Sequence, residues 1–119
     1  MPQTKLAYGL SSMRSLICSY KRKAKKRGHT YELTEEEFKE ITQKPCFYCG
    51  QEPNQIAKYE TKNGHYIYNG IDRKDNNIGY TYENSLPCCG LCNREKGRQS
   101  FKQFDDWLNK VVKFRVGCP

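Results

Sequence analysis

Two pairs of cysteines carry the clearest chemical pattern in the sequence. Cys46 and Cys49 form one Cys-x-x-Cys pair, and Cys89 and Cys92 form a second. Two such pairs can close one tetrahedral shell of thiolates around a zinc ion. Cys88 competes with Cys89 for this role, but only Cys89 stands at the same spacing from Cys92 that the first pair shows. The pattern therefore predicts a structural zinc site with four cysteine ligands.

Oxygen ligands lie between and just after the cysteine pairs, at Asp72, Asn84 and Asn93. Carboxylate and amide oxygens suit Mg²⁺ or Mn²⁺, whereas thiolates suit zinc, so we expect two different metals. An ion bound by only two such protein groups keeps positions for water and a phosphate oxygen, and it can polarise a phosphodiester. Simpler roles stay open: Asp72 as the partner of Arg73 in a turn, Asn93 as a helix cap, and Asn84 as a turn residue.

A dense basic run ends the first predicted helix, whose apolar residues recur every three or four positions from Leu6 to Ala24. Six of its seven residues are cationic: Lys21, Arg22, Lys23, Lys25, Lys26 and Arg27. Cations suit a helix C-terminus, but capping does not need so many. The run is either a solvated helix face or a clamp for backbone phosphates. The net charge of +8 and the pI of 9.2 favour a polyanionic partner, with nucleic acid the first candidate.

Composition predicts one small domain with a thin core. The chain has 119 residues, 36% of them hydrophobic, and a mean hydropathy of −0.95. Such a chain needs an additional staple, which a zinc site supplies. We see neither the apolar core of a signal peptide nor a membrane-spanning run, and expect no membrane partner. Seven cysteines, with four in metal-type pairs, favour a reducing intracellular setting over a disulfide framework.

Two capping boxes predict helix starts. Thr34 with Glu37 begins a helix over residues 35–43, and Ser100 with Gln103 begins a final helix. Between these two helices, aromatic and β-branched residues at 65–68 predict a strand that runs into residues 70–72. A short helix is expected to follow the second cysteine pair, where it carries Asn93 and ends by residue 97.

Several apolar residues are expected to pack the terminal helices together. Trp107 and Phe114 are predicted to bring the final helix back onto the first helix. Cys18 lies on the apolar face of the first helix and is predicted to be a core residue. Cys118 is expected in a loose C-terminal tail.

The stretch from residue 46 to about residue 108 resembles the HNH endonuclease family. The resemblance rests on three motifs: C-x-x-C, then N-G-I-D-R-x-D-N-x-x-G-Y, then E-N-S-L-P-C-C-x-x-C-N-x-x-K. It implies an α+β fold with a zinc-stapled ββα-metal core over residues 46–98. A basic helical arm at 1–45 and a C-terminal helix and tail at 99–119 would flank this core within a single domain.

The resemblance also implies residue roles. Asp72 and Asn93 would bind a catalytic Mg²⁺ or Mn²⁺, and Asn84 would orient the general base. Apart from the resemblance, their charge suggests that the cations on or after the short helix contact DNA and neutralise charge in the transition state: Arg94, Lys96 and Arg98. A family member of this kind would be cytoplasmic, or encoded by a phage and active in the host cytoplasm.

One departure from the family pattern affects the general base. Most members have Asp-His where this chain has Asp72 followed by Arg73, a form shared with some compact restriction and phage-type members. Arginine stays protonated and cannot take a proton from water, although it can grip the scissile phosphate. The candidates for the base are His29, Tyr48 and His65, in that order.

Two functions of different class follow from these patterns. The first is a metal-dependent DNA endonuclease that hydrolyses phosphodiester bonds, by nicking or by double-strand cleavage. The second is a zinc-stapled nucleic-acid-binding module without catalysis. A structural zinc domain that docks on a protein partner is a third, which leaves the basic run unexplained. Double-strand cleavage with one active site per chain would favour a homodimer.

Overall fold

The computed structural model describes residues 7–59 and 63–117. Four helices and four short strands form a mixed α+β fold, as predicted. The elements are α1 (Leu10–Lys26), α2 (Glu35–Thr42), β1 (Gln55–Ala57), β2 (Tyr66–Tyr68), β3 (Gly70–Arg73), β4 (Ser85–Cys88), α3 (Gly90–Lys96) and α4 (Phe101–Val116). None of the helices in these ranges is long and apolar enough to cross a membrane.

Helix α1 begins four residues later than the apolar pattern predicts, because Gly9 adopts a left-handed conformation with φ 80° as its N-cap. A Cβ at Gly9 would lie 2.5 Å from the carbonyl oxygen of His65, so this close approach requires glycine. The predicted apolar face is buried along Met13, Leu16, Ile17 and Ala24. Cys18 is exposed, contrary to the prediction of a core residue, because it lies outside that stripe.

Both predicted capping boxes are present. The Thr34 hydroxyl accepts from the Glu37 backbone N–H, and the Glu37 carboxylate accepts from the Thr34 N–H. Ser100 and Gln103 form the same reciprocal pair at the start of α4. These contacts satisfy backbone donors that the first turn of a helix leaves without partners.

Asn69 divides the predicted continuous strand into two strands of different sheets. Its backbone N–H donates to the Thr42 carbonyl at 2.8 Å, and its side-chain amide donates to the carbonyls of Lys44 and Gln51. The chain therefore leaves one ladder at Asn69 and enters another. β2 pairs antiparallel with β1, and β3 pairs antiparallel with β4.

Two separate clusters form the interior. The larger one joins α1 and α2 to the strands around Phe38, Tyr66 and Ile71. The smaller one, called here the cysteine core, contains Phe104 together with buried cysteines, and Tyr48 and Leu108 pack against it. The division explains why two short hairpins and four helices can hold together with so few aliphatic residues.

Helix α4 does not fold back onto α1. Phe104 is its only buried residue, and every residue of α4 is described. Trp107 and Phe114 are 53% and 82% exposed, so their predicted packing against the first helix is wrong. The protein is accordingly elongated, with extents of 69 × 30 × 21 Å. Cys118 lies outside the described residues.

Candidate metal centre and nucleic-acid interface

The four paired cysteines meet in one cluster. The sulfur atoms of Cys46, Cys49, Cys89 and Cys92 all lie within 4.8 Å of one another. The Cys49 and Cys89 sulfurs are 3.6 Å apart. Zn–S bonds of about 2.3 Å in a tetrahedron require sulfurs about 3.8 Å apart, so this donor set fits zinc. The four cysteines can therefore bind a metal such as zinc.

The backbone around the cluster favours the thiolate form of Cys46. Burial raises the pKa of Cys46, but hydrogen bonds from the backbone at Cys89, Cys49 and Tyr48 outweigh burial and lower it to about 7. A thiolate is the form that binds metal. Cys88 is fully buried outside the cluster, and burial raises its pKa. Its thiol points to the Cys89 carbonyl at 3.5 Å, consistent with a packing role.

Asp72 sits between two donors next to the cysteine core. Its Oδ1 accepts from the Lys96 ammonium at 2.8 Å, and its Oδ2 accepts from the Tyr48 hydroxyl at 2.6 Å. Asp72 is 6% exposed and Lys96 is 2% exposed. A lysine this deeply buried is rare unless it is paired. The contacts tie strand β3 to helix α3 and to the first cysteine pair.

This arrangement corrects one expectation and limits another. Lys96, expected to contact DNA, is enclosed by the protein and neutralised by Asp72, because its ammonium needs a partner once it leaves water. Arg94 and Arg98 remain exposed. Burial and the hydrogen bond to Asp72 raise the pKa of the Tyr48 hydroxyl, which is the opposite of what a general base requires.

Arg73 projects from the other side of strand β3, since side chains alternate along a strand. Its Nη1 donates to the carbonyls of Asn76 and Ile78 at 2.8 and 3.0 Å. Its guanidinium lies over the Tyr80 ring, 5.6 Å from the centroid. These contacts hold the side chain while leaving the remaining N–H groups of the guanidinium able to bind an anion.

Asn84 organises the 75–79 loop that surrounds Arg73. Its amide nitrogen lies 3.0 to 3.1 Å from the carbonyl oxygens of Asp75, Ile78 and Gly79, and its Oδ1 accepts from the Asp75 N–H. Asn84 therefore holds the loop in place. It also contacts the Ile78 carbonyl, which accepts a hydrogen bond from Arg73. The structure gives it no direct contact with a candidate base.

The same loop packs against the segment that carries His29. The Tyr80 N–H donates to the Thr30 carbonyl, and a Cβ at Gly79 would lie 2.3 Å from that oxygen. Burial, then the charges of Arg73 and Arg27, lower the pKa of His29. The lowered pKa favours the neutral form of the imidazole.

His65 lies at the opposite end of α1. Its ring contacts Tyr8 edge-on with centroids 6.3 Å apart, and its carbonyl abuts Gly9. The helix between Gly9 and Arg27 spans about 25 Å. His65 is therefore far from Arg27 and from the loop beside His29, and the structure does not bring it to the site.

A cavity of about 300 Å³ lies between α1 and β3. Asn93 lines it from α3, and Lys23 and Arg27 line it from α1, together with Tyr20 and Tyr80. Sequence reasoning predicts Asn93, Lys23 and Arg27 as functional residues but misses both tyrosines. Tyr20 matches the apolar stripe of α1, and only the fold shows that its hydroxyl meets the Ile71 N–H at 3.3 Å.

The structure thus sorts the predicted residues into two groups. Asn93, Lys23 and Arg27 share the cavity, and the charges of Arg73 and Arg27 act on His29. Asp72, Lys96 and Tyr48 contact one another beside the cysteine core. The other cations of the basic run, Lys21, Arg22, Lys25 and Lys26, are exposed on α1.

A comparison with solved structures supports this fold. No protein-family model matches the chain. The chain is 40% identical over 75 residues, or 63% of its length, to the uncharacterized protein R423 of Acanthamoeba polyphaga mimivirus, and the match spans 12% of that protein. The solved structure of the rare-cutting HNH restriction endonuclease PacI is similar with a TM-score of 0.57 and 24% identity. This similarity covers 98% of the chain and 84% of PacI. The chain therefore has the fold of an HNH nuclease and carries a cysteine cluster able to bind metal.

Proposed function

We propose that this protein is a metal-dependent DNA endonuclease of the HNH type. The observation that carries the proposal is the cavity where cations of α1 meet Asn93 of α3, beside His29 and Arg73. A binding surface needs only exposed cations. A cavity that combines those cations with an amide, and that has His29 close to its Arg27 edge, offers groups that phosphodiester hydrolysis uses. The fold shared with PacI supports the same function.

Lys23, Arg27 and Arg73 would hold the scissile phosphate. Only Nη1 of Arg73 donates to the loop carbonyls, so other N–H groups of its guanidinium can bind phosphate oxygens. The exposed cations of α1 would extend the contact along the DNA backbone, and their contribution should fall steeply with salt.

His29 is the best-supported general base. Burial and the charges of Arg73 and Arg27 lower the pKa of its imidazole, which favours the neutral form. A neutral imidazole can take the proton from an attacking water molecule. Tyr48 is less suited, since its hydroxyl already donates to Asp72 and its pKa is raised.

A divalent cation would be held by Asp72 and Asn93. Asn93 lines the cavity whereas Asp72 contacts Lys96 and Tyr48, so joint binding would require one of these side chains to move. Each carboxylate oxygen of Asp72 accepts one hydrogen bond and retains a further lone pair, so its donor chemistry fits Mg²⁺ or Mn²⁺. When bound, the cation would polarise the phosphodiester and stabilise the leaving alkoxide. Lys96 places a positive charge on the same carboxylate, so cation binding would compete with the Lys96 ion pair.

Plasmid cleavage tests the function. Supercoiled DNA is incubated with Mg²⁺ or Mn²⁺ and either wild type, His29→Gln, Asn93→Ala or the control Lys39→Gln, which changes an exposed cation on α2. We expect cleavage by wild type and the control, and a loss of at least about 100-fold in both site variants. Equal cleavage by all four proteins would contradict the assignment, since the activity would then come from a contaminant or another site.

A zinc-stapled DNA-binding module without catalysis is the alternative. The buried pair of Asp72 and Lys96 favours it, because this carboxylate is already neutralised without a metal. Salt-sensitive binding without cleavage, under any divalent cation, would establish this alternative.

A further inference from the structure

One face of helix α1 runs from the core into the cavity between α1 and β3. Four residues at helical spacing form this face and line the cavity: Leu16, Tyr20, Lys23 and Arg27. Leu16 is buried in the larger cluster, whereas Lys23 and Arg27 are exposed. Tyr20 lies between them, and its ring packs edge-on against Phe38 with centroids 5.6 Å apart. The Tyr20 hydroxyl therefore lies where the core ends and the cavity begins.

The Tyr20 hydroxyl accepts a hydrogen bond from the free edge of strand β3. The Ile71 N–H donates to it at 3.3 Å. Pro87, which pairs with Ile71 across the ladder, has no N–H, and its carbonyl accepts from the Phe47 N–H instead. The Ile71 N–H therefore points away from β4 and toward α1, where Tyr20 is its acceptor.

The same hydroxyl has a hydrogen of its own to donate. A tyrosine hydroxyl can accept and donate at the same time. Within residues 7–59 and 63–117, the Tyr20 hydroxyl donates to no protein acceptor. Burial raises the pKa of Tyr20 above its ordinary value of 10.0, so the hydroxyl stays protonated at physiological pH. Tyr20 thus offers the cavity a hydrogen-bond donor.

The other polar groups of the cavity also suit an anion. Lys23 and Arg27 form no ion pair or side-chain hydrogen bond with any residue that the structure describes. No carboxylate stands among the described residues that line the cavity, whereas Gln55 and Asn93 add side-chain amides. Cations and neutral donors without a competing carboxylate favour an anionic ligand with several oxygen acceptors.

We propose that the Tyr20 hydroxyl donates to a phosphate oxygen of DNA in this cavity and so binds the substrate directly. The inference rests on the proposed function in taking the occupant of the cavity to be a DNA phosphate. Lys23 and Arg27 would supply charge, and the hydroxyl would supply direction. Because Tyr20 also holds the edge of β3, it would fix the phosphate relative to Arg73, two residues after Ile71.

Binding of a single phosphodiester tests the role of the hydroxyl. Dithymidine monophosphate is titrated into the zinc-loaded protein without a divalent cation, and the NMR signals of the Ile71 N–H and the Asn93 side-chain amide are followed. We expect Tyr20→Phe to weaken binding about tenfold, because a hydrogen bond to a charged group is lost. Tyr66→Phe is the matched control. It removes a hydroxyl that contacts Thr42 at 2.6 Å in the same cluster but does not line the cavity.

Melting temperatures separate binding from stability. Both variants should melt at a lower temperature than wild type, because each loses a hydrogen bond of the interior, but only Tyr20→Phe should bind the dinucleotide more weakly. Unchanged binding by Tyr20→Phe, or equal weakening in both variants, would overturn the proposal. So would a wild type whose cavity signals show no saturable shift. A protein that binds the dinucleotide as expected but cleaves no plasmid would support this inference and contradict the nuclease function.

Sulfur substitution distinguishes direct contact from an effect through β3. The two phosphorothioate diastereomers of the dinucleotide each carry sulfur, a weak acceptor, in place of one non-bridging oxygen. We expect wild type to bind one diastereomer about fivefold more weakly than the other, and Tyr20→Phe to reduce this difference to about twofold or less. The same difference in both proteins would show that Tyr20 acts only by holding β3, and would overturn the direct contact.

Discussion

The two faces of strand β3 have different surroundings. One face carries a residue that holds the fold together, and the other carries a residue proposed to bind DNA. Asp72 faces the cysteine core, where Lys96 and Tyr48 enclose it. Arg73 faces α1, where its charge acts on His29 and its ring contact is with Tyr80. Adjacent residues of one strand therefore have opposite surroundings, one closed and internally neutralised, the other open and positively charged.

The comparison changes how the Asp-Arg pair is understood. The resemblance to HNH enzymes implies that Asp72 and Arg73 belong to one site. Here the aspartate carries an internal ion pair that joins three elements, while the arginine belongs to a separate group of cations.

Loss of the metal should have the largest effect. We expect about one zinc per chain. Removal of the zinc by a chelator should unfold the cysteine core, because structural zinc contributes on the order of 10–16 kcal/mol to folding in zinc-finger peptides. Cys92→Ser should do the same, whereas Cys18→Ser, at an exposed cysteine, should keep metal content and melting temperature. Elemental analysis and thermal melts followed by circular dichroism measure both. A chain that melts identically with and without chelator would show that the cluster is not a staple.

Breaking the buried ion pair should have the next largest effect. Lys96→Met leaves the Asp72 carboxylate buried beside one remaining donor, and we expect a loss of about 3–5 kcal/mol in the free energy of unfolding. Adding Asp72→Asn removes the unpaired charge and should recover part of that loss. Urea unfolding measures all three values, with Lys39→Met as an exposed control.

The same variant sharpens the view of Asp72 as a cation ligand. If Lys96 competes with the divalent cation, Lys96→Met should bind Mn²⁺ more tightly than wild type, as measured by the electron paramagnetic resonance signal of free Mn²⁺. Unchanged binding would mean that Asp72 does not ligate the cation, and would restrict this face to a structural role.

Sequence patterns predicted local features well, but they did not predict that the two faces of β3 have different surroundings. The capping boxes at Thr34 and Ser100 depend on residues three apart, so the sequence contains the whole signal. The pairing of Asp72 with Lys96 joins residues 24 positions apart through a fold, and a lysine in a basic chain gives no sign of burial. The predicted packing of Trp107 is wrong for a related reason. An apolar pattern shows that a helix has an apolar face, but it does not show which element covers that face.

Disturbing the 75–79 loop should affect the open face more than the closed one. Asn84→Asp keeps the acceptor but loses the donors to three loop carbonyls, and we expect a loss of about 1–3 kcal/mol in stability. Cleavage should fall further than stability alone explains, because Arg73 and the His29 segment both contact this loop. Asn77→Asp, on the exposed part of the loop, is the matched control. Equal activity in the two variants would argue against this route.

The smallest expected effect is a shift in pH dependence at the open face. Burial, Arg73 and Arg27 lower the pKa of His29 below its ordinary value of 6.5, so the neutral imidazole persists to lower pH than in a free histidine. Cleavage that uses His29 as base should rise with pH through this lowered pKa and remain level above it.

Arg73→Gln should move that inflection to higher pH, because it removes a positive charge that opposes protonation of the imidazole. Arg27→Gln should move the inflection in the same direction by a smaller amount. Lys21→Gln should leave it in place, because the charges that lower the pKa of His29 are those of Arg73 and Arg27. The chain has two histidines, so NMR titration can follow the His29 ring directly once His65→Gln assigns the other signal. If the His29 ring titrates with the lowered pKa but the cleavage rate does not change over the same pH range, His29 is not the general base. The open face would then bind the phosphate and leave proton transfer to another group.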